Sequence, residues 1–320
     1  MRYNQKSTNN TLMKNEKLFG IGLDFEVSKR PLFRLDETTY LNDDNSFTQA
    51  TEHVETPWFA TVNDATDESL GVVGNQYHVT QNAQIMNVLH EVAKDNNYTV
   101  SHSGPINGGR QCFAQLKLED TMQVANDEII KYVFATWGHD GKHGVRIGFG
   151  NKVVSCANQF YQFHNSASHK LRHNSTIEEQ LRAIPQIMNS YKAEEEEMYH
   201  TFEKWSKVEI WTDKKLMDFR TNLWKDLSGI DRAMSHQEML KEYSSRKVNA
   251  AMDLQQSINT EMGVHGQTLW GLFNGVTHFV NHKKSVPNRA FGRDESLMVG
   301  GGARMSNKAF KMIDAFAATI

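Results

Sequence analysis

The chain has 320 residues, of which 39% are hydrophobic and 23% are charged, and its formal net charge at pH 7 is -3. These values are typical of a globular protein with a substantial core, and they exclude a protein that coats nucleic acid with its whole surface. The two cysteines, Cys112 and Cys156, do not indicate a disulfide framework, and both are expected to be buried thiols. Since no apolar run is long enough for a membrane span or a signal-peptide core, we expect a cytoplasmic location and no membrane partner.

The first 55 residues show no sustained hydrophobic period, so residues 1–55 are predicted to be a flexible N-terminal arm. Charge is uneven along this arm. Residues 2–34 hold seven Lys or Arg and three acids, whereas residues 36–55 hold six acids and no Lys or Arg. We expect the acidic part to dock on a neighbouring copy of the chain or to shield a basic groove.

Residues 56–175 are predicted to form the α+β core. The segment NAQIMNVLHEVAKDNN has apolar residues at helical spacing. It is followed by strand-like runs separated by turn residues: YTVSH, RQCFAQLKL, EIIKYVFATW, GVRIGFG and KVVSCA. The short connections leave no room for crossover helices, so the pattern predicts an antiparallel meander of about five strands with one helix before it.

The pattern changes to helical spacing over residues 176–320, which are predicted to form a mostly helical region packed on one face of the sheet. Pro185 should interrupt the first helix. Further helices are expected at about 213–227, 235–247, 250–262, 268–284 and 306–318.

Several strings resemble a single family in their order and spacing. They are LGVVGNQYHVTQN, GGRQCFAQL, TWGHDGKHGVRIGF, VVSCANQF with LRHN, and TLWGLFNGVTHFVNHK with a following AFG. Together they resemble the phage/plasmid-like proteins of domain-of-unknown-function family 932, over about residues 57–316. The resemblance implies a mobile genetic element, prophage or plasmid context in a bacterial host. It implies no reaction and no catalytic residue.

The segment GHDGKHG, residues 138–144, is open to three interpretations. Asp-Gly between two strand-like runs is typical of a hairpin turn. Glycines that let the backbone approach an anion, with Lys142, His143 and Arg146 nearby, also suit a phosphate site. As a third alternative, His139, Asp140 and His143 would be ligands of a divalent metal, with a further ligand from His164, His169 or His173.

The segment from 138 to 175 is the basic stretch of the middle of the chain, with five Lys or Arg and a single acid. Aromatic residues are interleaved with it, and stacking platforms beside cations suit single-stranded nucleic acid. We expect the bases to stack on Trp137 or Tyr161. We expect the phosphates to be contacted by Arg110, Lys142, His143, Arg146, Lys152, Lys170, Arg172 and His173.

The leading functional hypothesis is therefore a non-enzymatic protein that binds or anneals single-stranded nucleic acid, DNA rather than RNA, in recombination or replication. It needs no cofactor, and an annealing protein would form homo-oligomers. The order of helix, meander and long helix is also similar to the core of single-strand annealing proteins, which is an analogy of topology alone. One alternative is a metal-dependent hydrolase or nuclease built on His139, Asp140 and His143. Another is a non-catalytic interaction protein that acts on a host system. No nucleophile elbow, P-loop or dinucleotide motif is present in the sequence.

Overall fold

The structure is a computed structural model that describes residues 22–163, 170–190, 192–210, 213–230 and 234–320. It contains two antiparallel sheets. The strands are β1 (Val27–Leu41), β2 (Phe47–Asn63), β3 (Glu68–Gly74), β4 (Thr99–Ile106), β5 (Gln111–Val124), β6 (Asp127–Gly138), β7 (Val145–Val153), β8 (Gln159–Phe163) and β9 (Lys170–Leu171).

The helices are α1 (Asn82–Asn96), α2 (Ile177–Arg182), α3 (Ile184–Ser190), α4 (Lys192–Ser206), α5 (Lys214–Ser228), α6 (His236–Glu242), α7 (Ser245–Val264), α8 (Leu269–His278), α9 (Gly292–Met298) and α10 (Gly301–Ala317). A π-helical turn, Phe279–Lys283, extends α8. The break before α3 lies beside Pro185, as the sequence predicts, because proline cannot donate the hydrogen bond that a continuous helix needs.

The larger sheet has the order β4-β5-β6-β7-β8, and β9 also pairs with β7. The predicted α+β class, with a helix before an antiparallel meander and a helical C-terminal half, is confirmed. The chain between β3 and β4 forms α1, whereas β4 to β8 follow one another through short turns. Short connections bring sequential strands together in antiparallel register.

Strand alternation gives the larger sheet two buried faces. On β6, Val133, Ala135 and Trp137 pack with α1, while Phe134 between them packs with the C-terminal helices. Successive side chains of a strand point to opposite faces, so each strand contributes to both cores. The helical half was expected on one face only. Instead, α2 and α3 pack on the α1 side, and the helices from α4 onward cover the other side.

The smaller sheet, β1-β2-β3, differs from the predicted arm. Residues 27–41 and 47–63 form a long hairpin with a register running from Val27↔Asn63 to Leu41↔Phe47. Its distal half is exposed on both faces and displays Phe33, Leu35 and Phe47. A ribbon that buries neither face needs no alternating hydrophobic pattern, so these strands cannot be recognised from hydrophobic spacing. Residues 1–21 of the predicted arm lie outside the described residues.

Among the residues that the structure describes, no helix is long and apolar enough to cross a membrane.

Candidate functional site

The GHDGKHG segment connects β6 to β7 and is held together by Asp140. Its Oδ1 accepts hydrogen bonds from the backbone N–H groups of Lys142 (2.9 Å) and His143 (3.1 Å). Its Oδ2 accepts a hydrogen bond from His143 Nδ1 at 2.7 Å. Aspartate is favoured in turns because its carboxylate can satisfy backbone donors two or three residues later. The segment is therefore an ordered turn that leaves the Lys142 and His143 side chains on the surface.

This turn packs closely against β3, and two glycines leave room for the contact. A Cβ on Gly71 would lie 2.6 Å from the backbone of Asp140, and a Cβ on Gly141 would lie 2.7 Å from a methyl group of Val73. Gly141 also has a φ of +75°, which favours glycine. The close contact fixes where His143 lies relative to the larger sheet.

The structure does not assemble the predicted metal site on this turn. His139 is fully buried, and its Nε2 donates to Asn82 Oδ1 at 2.9 Å. His143 instead points outward and pairs with Asp140. Within the described residues, the ligand atoms of His139, Asp140 and His143 do not converge as a metal-binding group. His164 and His169, the suggested further ligands, lie outside the described residues.

Burial strongly lowers the pKa of His139, to about 3, and the nearby His173 adds to the shift. His139 is thus neutral at neutral pH. Its Nδ1 is buried and has no hydrogen-bond partner among the described residues. The His139 ring packs edge-on against Phe25 and lies next to α1, where it bonds Asn82.

A groove of about 310 Å³ lies at the end of the larger sheet where β5 begins and β6 ends. Its walls come from the sheet and from α9 and α10. The lining residues are Gln111, Thr136, Trp137, His143, Gly144, Arg146, Gln162, Phe163, Met298, Val299, Ala303, Arg304, Asn307 and Lys311. Three of them are Lys or Arg and none is acidic, so the groove carries positive charge without an acidic residue in its walls.

Arg146 forms the sheet side of this groove. The register places it opposite Thr136 of β6 and Lys170 of β9. Its guanidinium lies 3.9 Å from the centre of the Phe163 ring, and burial lowers the pKa of Arg146 without removing its charge. In the part of the chain that the structure describes, no carboxylate pairs with Arg146, so its hydrogen-bond donors remain available to a ligand.

Helix α10 forms the opposite wall and presents Arg304, Asn307 and Lys311 on one face, at i, i+3 and i+7. Asn307 Nδ2 donates to Tyr161 O at 3.1 Å, which fixes the helix against β8. Arg304 also belongs to a second group of cations. Burial and then the charges of Arg304 and Arg246 lower the pKa of Lys284. Positive charge is therefore concentrated near the start of α10, and the helix dipole adds to it there.

Neither predicted stacking residue is available to a base. Trp137 is only 1% exposed, and its Nε1 donates to Asn82 Oδ1 at 2.8 Å. Tyr161 is 3% exposed and packs edge-on against Phe134 in the core. The burial of both side chains contradicts these predictions: Trp137 on β6 and Tyr161 on β8 each face one of the two cores, because the sheet is covered on both faces.

The other predicted phosphate contacts are scattered. Arg110 is exposed next to the turn, since its carbonyl accepts the N–H of His139 at 2.8 Å. Arg172 is exposed after β9. Lys152 lies at the far end of β7, six residues from Arg146, or about 20 Å along the strand. His173 is buried, stacks on Tyr77 and bonds Thr80, and burial lowers its pKa, so its prediction as a phosphate contact is wrong.

A second polar cluster lies at the opposite end of the larger sheet. Asp127, at the start of β6, accepts hydrogen bonds on Oδ2 from His265 Nδ1 (2.7 Å) and Trp270 Nε1 (2.8 Å). The other ring nitrogen, His265 Nε2, lies 3.2 Å from Glu261 Oε2. Burial lowers the pKa of His265, but hydrogen bonds to Asp127, Cys156 and Glu261 outweigh it and raise the pKa to about 11.

Asn158 completes this buried cluster. Its Nδ2 donates to Glu261 Oε2 at 2.9 Å, and its Oδ1 is 3.1 Å from His282 Nε2. Both cysteines were expected to be buried thiols. Cys112 is fully buried in the α1 core, but Cys156 is only partly buried and lies at the edge of this cluster.

The predicted site residues did not include Arg304 and Lys311 of the groove or the residues of the buried cluster. Arg304 and Lys311 carried a usable signal, because they share one face of an amphipathic helix beside the GGG at 300–302. Asp127, Cys156 and His265 carried none, since they are separated by up to 138 positions and form no motif.

Comparison with known proteins adds a family but no function. The model of the family described as a domain of unknown function, DUF932, matches residues 69–310. No curated protein and no solved structure matches the chain. The match runs from β3 into α10 and includes the buried cluster and every groove residue except Lys311, while the long hairpin lies before it. The chain belongs to the DUF932 family.

Proposed function

We propose that the chain binds single-stranded nucleic acid, with the phosphates in the groove between the larger sheet and α10. The observation that carries the proposal is the charge of that groove. Arg146, Arg304 and Lys311 line it, and no acidic residue lies among its walls. Cations held together without counter-charges repel one another, and a polyanion that enters between them removes this cost.

The types of side chain support phosphate as the ligand. Arg146 and Arg304 offer planar forks of N–H donors that match two phosphate oxygens, and Lys311 adds a point charge. Gln111, Gln162 and Asn307 line the same groove and can donate to sugar or base edges. A site with this mixture suits a flexible single strand, whose phosphates and bases are both accessible.

The stacking surface differs from the one that the sequence predicted. Trp137 and Tyr161 are buried, whereas the Arg146 guanidinium lies 3.9 Å from the centre of the Phe163 ring at the groove. Unpaired bases stack on guanidinium planes as well as on aromatic rings. We therefore assign base stacking to the Arg146–Phe163 pair.

The wider role remains as the sequence suggested: strand binding or annealing by a homo-oligomer, without catalysis, in the bacterial cytoplasm and in recombination or replication of a mobile element. DNA is the expected strand. The acidic segment 36–55 occupies the distal half of the exposed hairpin, where it is accessible to a neighbouring copy. An acidic hairpin that reaches a basic groove would compete with nucleic acid.

The test is fluorescence anisotropy of a labelled single-stranded oligonucleotide, DNA and RNA in parallel, over a series of salt concentrations. The double variant Arg304→Glu with Lys311→Glu should weaken binding by about 100-fold or more at low salt. It should also reduce the slope of log affinity against log salt by about 2, since each lost phosphate contact removes about one counterion.

A matched control carries the same change in net charge elsewhere. Lys94 and Arg182 are exposed at the ends of α1 and α2, which pack on the other face of the sheet. Lys94→Glu with Arg182→Glu should keep the salt slope of the original protein. Equal losses in the two double variants, or an intact slope in the groove variant, would reject the groove as the binding site.

A further inference from the structure

The buried cluster at the far end of the larger sheet brings together a thiol, an imidazole and a carboxylate. One ligand atom each from Cys156, Glu261 and His265 lies within 4.8 Å of the others. Cys156 comes from the turn between β7 and β8, while Glu261 lies in the last turn of α7, four residues before His265, the C-cap of that helix. Their i, i+4 spacing places both side chains on the same face of that helix.

The ring of His265 is oriented as metal-binding histidines usually are. Its Nδ1 donates to the Asp127 carboxylate at 2.7 Å, and Trp270 Nε1 holds the same carboxylate oxygen at 2.8 Å. A carboxylate on one ring nitrogen fixes the orientation of the ring and increases the basicity of the other nitrogen. That other nitrogen, Nε2, faces Glu261.

The spacing of the donor atoms fits a small divalent ion. Tetrahedral coordination with bonds of about 2.0–2.3 Å places two ligand atoms roughly 3.3–3.8 Å apart. His265 Nε2 and Glu261 Oε2 are already 3.2 Å apart, and an inward movement of about 1 Å would bring all three donor atoms to these separations. The ion would replace the proton shared between the imidazole and the carboxylate.

The charges and the outer hydrogen bonds of the cluster also favour a bound metal ion. Asp127 and Glu261 are two carboxylates beside a single imidazole, and a coordinating thiolate would add a third negative charge. Asn158 holds Glu261 from the other side and is itself bonded to His282, so the carboxylate has an outer partner just as the imidazole has. Outer partners of this kind keep ligands in place for a metal.

We propose that Cys156, Glu261 and His265 bind a transition-metal ion of the zinc class, with Asp127 as the positioning residue of His265. A set of one sulfur, one nitrogen and one oxygen donor suits zinc or cobalt better than magnesium or calcium, which prefer oxygen alone. Three protein ligands leave a fourth coordination position for water or another small donor. The site lies at the opposite end of β6 from the groove and is independent of nucleic-acid binding.

The chain contains only two cysteines, which makes a cobalt experiment decisive. Purified protein is stripped with a chelator, equimolar Co²⁺ is added, and the absorption spectrum is recorded. We expect a thiolate-to-cobalt charge-transfer band together with the intense visible bands of a four-coordinate site. Cys112 is fully buried in the other core, so Cys112→Ser is the matched control and should keep these bands.

Cys156→Ser should lose the charge-transfer band, and His265→Gln should lose tight binding. Asp127→Asn should weaken the affinity for Zn²⁺, measured by competition with a chromogenic chelator, by about 10- to 100-fold. The Cys112→Ser spectrum assigns the sulfur even if a Cys156 variant folds poorly. Absence of a thiolate band in the unmodified protein, or its loss in Cys112→Ser but not in Cys156→Ser, would overturn the proposal.

Discussion

The two ends of the larger sheet differ in how their charged side chains are paired. The groove is lined by Arg146, Arg304 and Lys311, and none of its lining side chains is acidic. At the other end, about 30 Å away along β6, each charge of the buried cluster has an opposite charge or a hydrogen-bond donor within reach. The groove is open to a ligand, whereas the cluster is satisfied internally.

This contrast in charge pairing distinguishes a binding surface from a structural network. Charges of one sign are costly to hold together and gain from an external partner. A buried pair with complete hydrogen bonding already has its partner, and breaking it costs more than forming it gains. The metal proposal therefore rests on the Cys156 thiol beside this cluster, because the ion pairs of His265 do not need it.

The largest effect is expected from breaking the buried cluster alone. Asp127→Ala removes the acceptor of two buried donors, His265 Nδ1 and Trp270 Nε1, and should lower the free energy of unfolding by about 3 kcal/mol. Urea unfolding measures this change. Asp120→Ala, in an exposed part of β5, is the control. A cost below about 1 kcal/mol would show that the cluster is not satisfied as described.

The second-largest effect is expected at the groove end of the larger sheet, away from the buried cluster. Gly71→Ala would place a Cβ 2.6 Å from the backbone of Asp140 and push the GHDGKHG turn away from β3. Overpacking of this kind should cost about 2 kcal/mol of stability. Thermal or urea unfolding measures it, and Gly74→Ala, where no atom lies within 4 Å of the new Cβ, should be nearly neutral. Equal behaviour of the two variants would contradict the close packing of the turn.

A smaller effect concerns the pH dependence of stability. His139 has a pKa of about 3 in the folded chain and an ordinary value of 6.5 when exposed. Between these values the unfolded chain binds a proton that the folded chain does not, so stability should fall as the pH falls, by about 1 kcal/mol per pH unit.

This pH effect is isolated by substitution. His139→Gln removes the titrating group and should flatten the dependence of urea unfolding on pH below about 6.5. His53→Gln, at an exposed histidine of the hairpin, should not. If His139→Gln keeps the full slope of unfolding free energy against pH, the His139 imidazole is not the group whose protonation changes stability.

The smallest effect is expected from Lys152. It lies on the same strand as Arg146 but at the end near the buried cluster, so it should not contact a strand in the groove. Lys152→Glu should change nucleic-acid affinity by less than about 2-fold in the anisotropy assay, whereas Arg146→Glu should weaken it strongly. Similar losses in both variants would mean that the strand follows the whole of β7 instead of the groove.

The elements of the core could be predicted because their signals are local. Helix α1 has apolar residues at helical spacing, and β4 to β7 coincide with strand-like runs between turn residues. The fifth predicted run, KVVSCA, instead falls on the end of β7 and the turn after it, and β8 was not predicted. The long hairpin gave no such signal, because most of β1 and β2 pack on nothing. Of the predicted phosphate contacts, Arg146 and His143 line the groove. The two predicted stacking residues, Trp137 and Tyr161, are buried.

The α+β class, the meander and the family can be read from the sequence alone, since each depends on patterns within short segments or on their order. Which charges meet depends instead on the tertiary structure. Arg146 reaches Arg304 and Lys311 because α10 folds back over the strand ends, and Asp127 reaches His265 across 138 positions. Contacts of this kind depend on chain reversal and packing, and no local pattern encodes them.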